Sequence, residues 1–152
     1  MEKPVIIFGG KGIAKAALEI FKSNSIVVYG FLDDDATIHG TEIDDVSILG
    51  KTDDHGFTKL IGQKTEAFVA TDDNALRKKQ VKMLMDSRKV MPTNAIHQQA
   101  YISDSATIGH GNFINARANI GSDTNIGQHN IINTAAILEH IVQIGDYVQV
   151  GA

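Results

Sequence analysis

The sequence predicts a doubly wound α/β domain over residues 1–93 followed by an all-β left-handed parallel β-helix over 94–152, and three observations carry that prediction. Aliphatic side chains recur every six residues at Ile96, Ile102, Ile108, Ile114, Ile120, Ile126, Ile132, Leu138, Ile144 and Val150. Ahead of that repeat, short apolar runs alternate with amphipathic segments. Charge changes between the two regions: residues 1–95 carry 13 Lys/Arg and 14 Asp/Glu, whereas 96–152 carry Arg117 and the four acids Asp104, Asp123, Glu139 and Asp146.

Val5-Ile6-Ile7-Phe8 is an unbroken apolar run of the kind buried within a parallel sheet, and Gly9-Gly10-Lys11-Gly12 is a tight loop. Ile13 to Lys22 reads as a helix with Ile13, Ala17, Ile20 and Phe21 on one face. A second strand over Ile26 to Leu32 ends in Asp33-Asp34-Asp35. Val46 to Leu49 is a short third strand, Glu66 to Ala70 a fourth, and Asn74 to Asp86 a helix. Lys89-Val90-Met91 is placed as a last strand before Pro92, whose fixed φ suits the exit into the repeat. Strands and helices in alternation build a parallel sheet.

A period of six matches neither a helix nor a strand, and a sandwich or barrel would not sustain it over ten units. It fits a short strand plus a turn, the aliphatic pointing inward, so that three hexads close one triangular coil of 18 residues. Residues 18 apart then stack at about the 4.8 Å spacing of neighbouring strands. Two residues before each next aliphatic the chain places Ala100, Ala106, Asn112, Ala118, Thr124, Asn130, Ala136, Val142 and Val148, all small, β-branched or Asn. Gly109, Gly127 and Gly145 form one column, expected at corners where a Cβ would be strained. The same arithmetic stacks His97, Asn115 and Asn133, and stacks Asp104, Ser122 and His140.

A net charge of −4 without a long basic run provides no electrostatic footprint for nucleic acid or an anionic membrane. The absence of cysteine rules out disulfides, thiolate zinc sites and a cysteine nucleophile, and the expected compartment is the cytoplasm. Val5 to Phe8 is too short for a signal-peptide core, and no stretch approaches the ~20 apolar residues of a bilayer span, so no membrane insertion is expected.

The glycine turn after the first strand can aim backbone N–H groups and a helix N-terminus at a phosphate, with Lys11 adding charge. Asp33 or Asp34 lies where such a domain holds a ribose hydroxyl. The full G-x-G-x-x-G spacing is absent, so plain turn chemistry is the competing reading. Thr71-Asp72-Asp73-Asn74-Ala75-Leu76-Arg77 follows the fourth strand at the carboxyl end of the sheet, where open α/β folds take ligands; the same residues suit a helix N-cap. Among the coil histidines, His110 and His129 come close by column arithmetic, leaving a metal pair at a trimer axis beside an ordinary surface or interface role. No spacing among the histidines marks a metal centre, and none is expected. His140 sits at a corner beside Glu139 in a charge-poor region, where an imidazole can serve as a general base.

The segments VIIFGGKGIAKA, GFLDDD and FVATDDNALRKK, with the coil sequences PTNAIHQQAYISDSATIG and IINTAAILEHIVQIGDYVQVGA, resemble one family. It is that of the bacterial sugar acyltransferases, which includes sialic acid O-acetyltransferases and UDP-4-amino-sugar N-acetyltransferases, and the likeness covers the whole chain. It implies a Rossmann-like N-terminal domain that holds the nucleotide sugar, and a β-helix that forms homotrimers and binds acetyl-CoA between neighbouring subunits. Carried over by position, the resemblance places the nucleotide loop at Lys11, Gly12 and Ile13, the acids after the second strand at Asp33 and Asp34, and the turn after the fourth at Asp72. It makes His140 the catalytic base, with Asn133 retained, and sets Gln149 near the acetyl group of acetyl-CoA. The implied reaction is direct acetyl transfer to an amino or hydroxyl group of a UDP-amino sugar or sialic acid in surface glycan synthesis.

Departures from the family are also visible. Ile141 stands where the family carries an acid that orients the histidine, and Gln149 replaces a second histidine and cannot titrate. Lys11 and Ile13 stand for glycine and histidine, and Asp72 for glycine. The sequence stops at Ala152, early in its fourth coil, where the family continues; a partial chain, or an end covered by a partner, is expected. A catalytically weakened sugar-nucleotide-binding or scaffold trimer is therefore the alternative function. NAD-dependent oxidoreduction is a third, which the hexapeptide repeat opposes.

Overall fold

A strand without a polar side chain needs cover on both faces, and β1 (Val5–Phe8) has it. Every one of its residues is buried, between two parallel neighbours, β2 (Val28–Leu32) and the later strand Glu66–Val69. The structure, a computed structural model, describes residues 2–152 and divides into two units at Pro92/Thr93. In the first unit β4 (Val46–Gly50) extends the sheet parallel to β2, and β3 (Glu42–Ile43) closes that edge antiparallel. With Glu66–Val69 as β5, the order is β3-β4-β2-β1-β5. Because β2 and β5 flank β1 on opposite sides, the loops leaving the carboxyl ends of β1 and β5 diverge, the arrangement at which open α/β sheets take ligands.

α1 (Ala14–Ser23) buries Ala14, Ala17, Leu18, Ile20 and Phe21, and the Phe21 ring meets Phe68 of β5 edge-on at 5.7 Å. α2 (His55–Thr58) is a single turn started by Asp54, whose carboxylate accepts from Gly56 N. α3 (Asn74–Arg88) is capped by Asp73, which accepts from the Ala75 and Leu76 amides.

Sequence pattern finds β4 but misses α2 and β3, with which β4 forms a hairpin, and it expects one strand too many. Asp44 and Asp45, at φ 46° and 68°, make the two-residue hairpin turn without the glycine that usually marks one. Lys89-Val90-Met91 is not a strand: Lys89 adopts φ 57° and donates to Met85 O, an αL cap that ends α3, and no ladder forms before Pro92.

In the second unit ten two-residue strands form three parallel sheets, a parallel β-helix. One stacks Ala95–Ile96, Phe113–Ile114, Ile131–Ile132 and Gln149–Val150; the others stack Tyr101–Ile102, Asn119–Ile120 and Ile137–Leu138, and Thr107–Ile108, Asn125–Ile126 and Gln143–Ile144. Partners are 18 residues apart throughout, as in Ile102↔Ile120↔Leu138. Ile114, Ile120, Ile126, Ile132 and Leu138 point inward and form the core with Ala118 and Ala136.

A second ladder runs beside that core. Asn112 N donates to Asn94 Oδ1 at 2.8 Å, Asn130 N to Asn112 Oδ1 at 2.9 Å, and Val148 N to Asn130 Oδ1 at 2.7 Å. The Nδ2 groups of Asn94, Asn112 and Asn130 donate in turn to the carbonyls of Gly109, Gly127 and Gly145.

The corners differ from expectation. Left-handed φ recurs every six residues at Gly111, Arg117, Asp123, His129, Ala135, Ile141 and Tyr147, and Gly109, Gly127 and Gly145 are not among them. That glycine column does stack, but it serves close approach: a Cβ on Gly109 would lie 2.5 Å from Gly127 O, and one on Gly127 2.6 Å from Gly145 O. Coil closure, not residue preference, sets the turn, so side chains bear the left-handed strain. Ile141, β-branched at φ 60°, is the worst placed of them. Ile141→Asn is expected to raise stability by about 1 kcal/mol, read as a higher urea midpoint at constant slope.

Candidate functional site

Lys11, Gly12, Ile13, Asp33, Asp34 and Asp72 line one cavity of about 300 Å³ in the first unit, together with Gly9, Ala70, Thr71, Leu76 and Gln80. Gly9, at φ 113°, brings the loop against the end of β5, where a Cβ would lie 2.6 Å from Ala70 O. The loop then enters α1 with no side-chain cap at Ile13. Among the described residues the N–H groups of Lys11, Gly12 and Ile13 have no acceptor, so three successive residues of the cavity wall carry unpaired donors. Consecutive unpaired amides at a helix N-terminus attract an anion.

The two acids at the end of β2 act differently. Asp33 Oδ2 accepts from Gly10 N and its Oδ1 from Asp35 N, both at 2.8 Å. Asp33 thereby pins the glycine loop to β2 and removes Gly10 from the set of free donors. Asp34 Oδ1 accepts from both N and Oγ1 of Thr52 at 2.9 Å, which leaves Oδ2 uncommitted among the described residues. On the far side of the cavity Asp73, the neighbour of Asp72, is the residue that caps α3.

Lys11 Nζ pairs with Asp35 at 2.6 Å. That hydrogen bond raises the Lys11 ammonium, and it also leads in holding the Asp35 carboxyl far below the usual carboxylate range, followed by the Thr37 hydroxyl and amide. A depressed carboxylate favours folding above its unfolded-state value and loses that contribution as pH falls through the folded one, so the pair is intact at neutral pH and opens only in strong acid.

Pattern reading missed Gln80. It lies one turn beyond Leu76 on α3, buried on the face that also presents Val81 and Leu84 to the core, and nothing in the sequence marks it as enclosed.

In the second unit His140 is exposed at a corner, and the register of Ile120 on Leu138 stacks it over Ser122. Its ring has no hydrogen-bond partner among the described residues. Asn133 Nδ2 donates to Val150 O at 2.9 Å, and Gln149 is exposed on the strand above Ile131. His129 is not a surface residue: it is 4% exposed, its ring centroid 5.0 Å from that of Tyr147, and its N–H donates to His110 O. Packing over Gly111, where no Cβ could be accommodated, explains its burial. Among the described residues no three His, Cys, Asp or Glu side chains converge as metal ligands, and no helix is long and apolar enough to cross a membrane.

The PglD N-terminal domain family matches residues 4–84. No curated protein matches the sequence directly. Among solved structures, a histidine-to-alanine mutant of GDP-perosamine N-acetyl transferase from Caulobacter crescentus, in complex with CoA and GDP-perosamine, is 31% identical; it superposes with a TM-score of 0.84 over 96% of this chain and 67% of its own. The acetyltransferase domain of PglB from Neisseria gonorrhoeae, in complex with acetyl coenzyme A, is 20% identical with a TM-score of 0.83 over 98% of this chain and 70% of its own. WeeI from Acinetobacter baumannii is 20% identical with a TM-score of 0.80 over 97% and 68%. These last two likenesses speak to the fold.

Proposed function

We propose, because the chain belongs to the bacterial sugar acetyltransferase family that carries the PglD N-terminal domain, that it transfers an acetyl group from acetyl-CoA to an amino or hydroxyl group of a nucleotide-linked sugar. The observation that carries this reading is the likeness, at 31% identity, to an N-acetyl transferase structure holding CoA and GDP-perosamine. That relative favours an amino acceptor over a hydroxyl.

The first unit is read as a Rossmann-like domain for the nucleotide sugar. The diphosphate would lie on the amides of Lys11, Gly12 and Ile13, a ribose hydroxyl on Asp34 Oδ2, and Asp72 would turn away from the phosphates to avoid like-charge repulsion. In the left-handed coils His140 is the general base. Neutral imidazole takes a proton from the amine as its nitrogen bonds the thioester carbon, the C–S bond breaks, and CoA leaves as thiolate. Asn133, whose amide ties its own coil to Val150 O, is a site residue by the resemblance, and Gln149 donates to the acetyl end of acetyl-CoA held between subunits of a cytoplasmic homotrimer.

Thiol release from acetyl-CoA with a panel of UDP- and GDP-linked amino sugars and sialic acids tests the reading. Turnover with an amino-sugar nucleotide is the expected result; binding without thiol release favours the weakened or scaffold trimer, which the apolar Ile141 beside His140 supports.

The Lys11–Asp35 pair also sets how much positive charge the loop offers a diphosphate. Asp35→Asn keeps an acceptor for Thr37 and frees the ammonium, and since an exposed pair holds its partners only weakly, UDP or GDP should bind roughly two- to fivefold tighter by calorimetry. Unchanged affinity would show that Lys11 does not reach the phosphates.

A further inference from the structure

Gln80 is 6% exposed, yet it belongs to the wall of the cavity that contains Asp34 and the glycine loop. Its Oε1 is enclosed without a hydrogen-bond partner, and among the described residues no group bonds the rest of the carboxamide. An enclosed carbonyl oxygen that lost water and gained no donor opposes folding. Val81 and Leu84 supply the apolar packing on that face of α3, so an aliphatic side chain at position 80 would serve the core better. Something entering the cavity is needed to complete the amide.

We infer that Gln80 recognises the ligand of this cavity, its carboxamide exchanging hydrogen bonds with a neutral N–H or O–H group of the nucleotide sugar. The inference rests on the nucleotide-sugar reading above. A nucleobase edge and a pyranose hydroxyl both offer a donor together with an acceptor, which suits a side chain that accepts and donates at once. The diphosphate has no such donor, and the amides of Lys11, Gly12 and Ile13 already suit it. Gln80 is thus a specificity residue: a ligand without the neutral group leaves the buried amide unpaired.

Titration calorimetry of the wild type and Gln80→Met with pyrophosphate, UDP, GDP, UDP-glucose and GDP-mannose tests this. Methionine keeps the length of the side chain and removes both polar atoms. Pyrophosphate should bind both proteins alike, the variant should melt no lower than the wild type, and affinity should fall about tenfold for the nucleotides. A loss already present with UDP or GDP assigns the contact to the base; a loss confined to the sugar nucleotides assigns it to the sugar. Equal affinities for every probe overturn the inference, as does a uniform loss that includes pyrophosphate. If the wild type binds none of the probes, the nucleotide-sugar reading falls and this inference with it. Should the variant not fold, the wild-type Gln80 side-chain amide resonance decides: it is expected to move with a nucleotide or sugar nucleotide and not with pyrophosphate, and a resonance indifferent to every probe that binds refutes the contact.

Discussion

His140→Ala is expected to lower thiol release by about 10²- to 10⁴-fold, the range a positioned general base contributes, while leaving melting temperature and assembly unchanged. The second half of that expectation comes from the site. His140 is exposed and unbonded among the described residues, so truncation opens no cavity and leaves no partner unsatisfied. Removal of a ring with no structural duty therefore reports on chemistry alone. Rates measured at saturating acetyl-CoA and acceptor, beside a thermal melt of the same preparation, check both halves. Turnover equal to wild type would take His140 out of the mechanism. A large loss accompanied by a lower melting temperature would mean that the corner needs the ring for its fold.

The inner aliphatics were legible because each hexad repeats one physical demand: a side chain must fill the coil at every sixth position, and the 18-residue register follows. β1 was equally plain, since four apolar residues in a row, cut off by Gly9-Gly10 and too few for a helix, fit a strand covered on both faces. Six candidate residues from three separate segments line one cavity because all follow the carboxyl ends of parallel strands, where topology gathers loops. What stayed hidden was pairing. Composition does not reveal that Asp33 spends both oxygens on backbone amides, or that Asp35 engages Lys11, because those partners depend on loop paths that no periodicity encodes. Gln80 was hidden for a similar reason: a polar residue on a helix carries no mark of being enclosed. The corners misled in another way. Glycine is the residue that tolerates left-handed φ, but closure of each coil imposes that φ on Arg117, Asp123 and Ile141, and glycine appears where carbonyls crowd.

Asn130 has no place in the proposed chemistry, yet its replacement by Asp should unfold the coils more readily than any other isosteric change in them. The side chain is fully buried, and its Nδ2 donates to Gly145 O at 2.8 Å and to Asn112 Oδ1 at 3.0 Å. Aspartate still accepts from Val148 N, but its second oxygen faces two acceptors and has nothing to donate when ionised. Gly145 O loses its donor, Asn112 Oδ1 keeps only the Asn130 N–H, and a charge is enclosed without a counterion, so a loss of about 3–5 kcal/mol at neutral pH is expected from urea denaturation. Burial and the facing oxygens raise the folded-state value of the new carboxyl above its unfolded one. The charge part of that loss is then absent where both states are protonated, well below the unfolded value of about 4, and grows as pH rises toward the folded-state value. Asn125→Asp provides the control, because Asn125 lies in an exposed ladder between Thr107 and Gln143 where water can solvate the charge, and it should cost less than about 0.5 kcal/mol. If the two variants lost the same stability with the same dependence on pH, the buried asparagines would not be what ties one coil to the next, and the inward aliphatics alone would have to hold the register that puts His140 over Ser122.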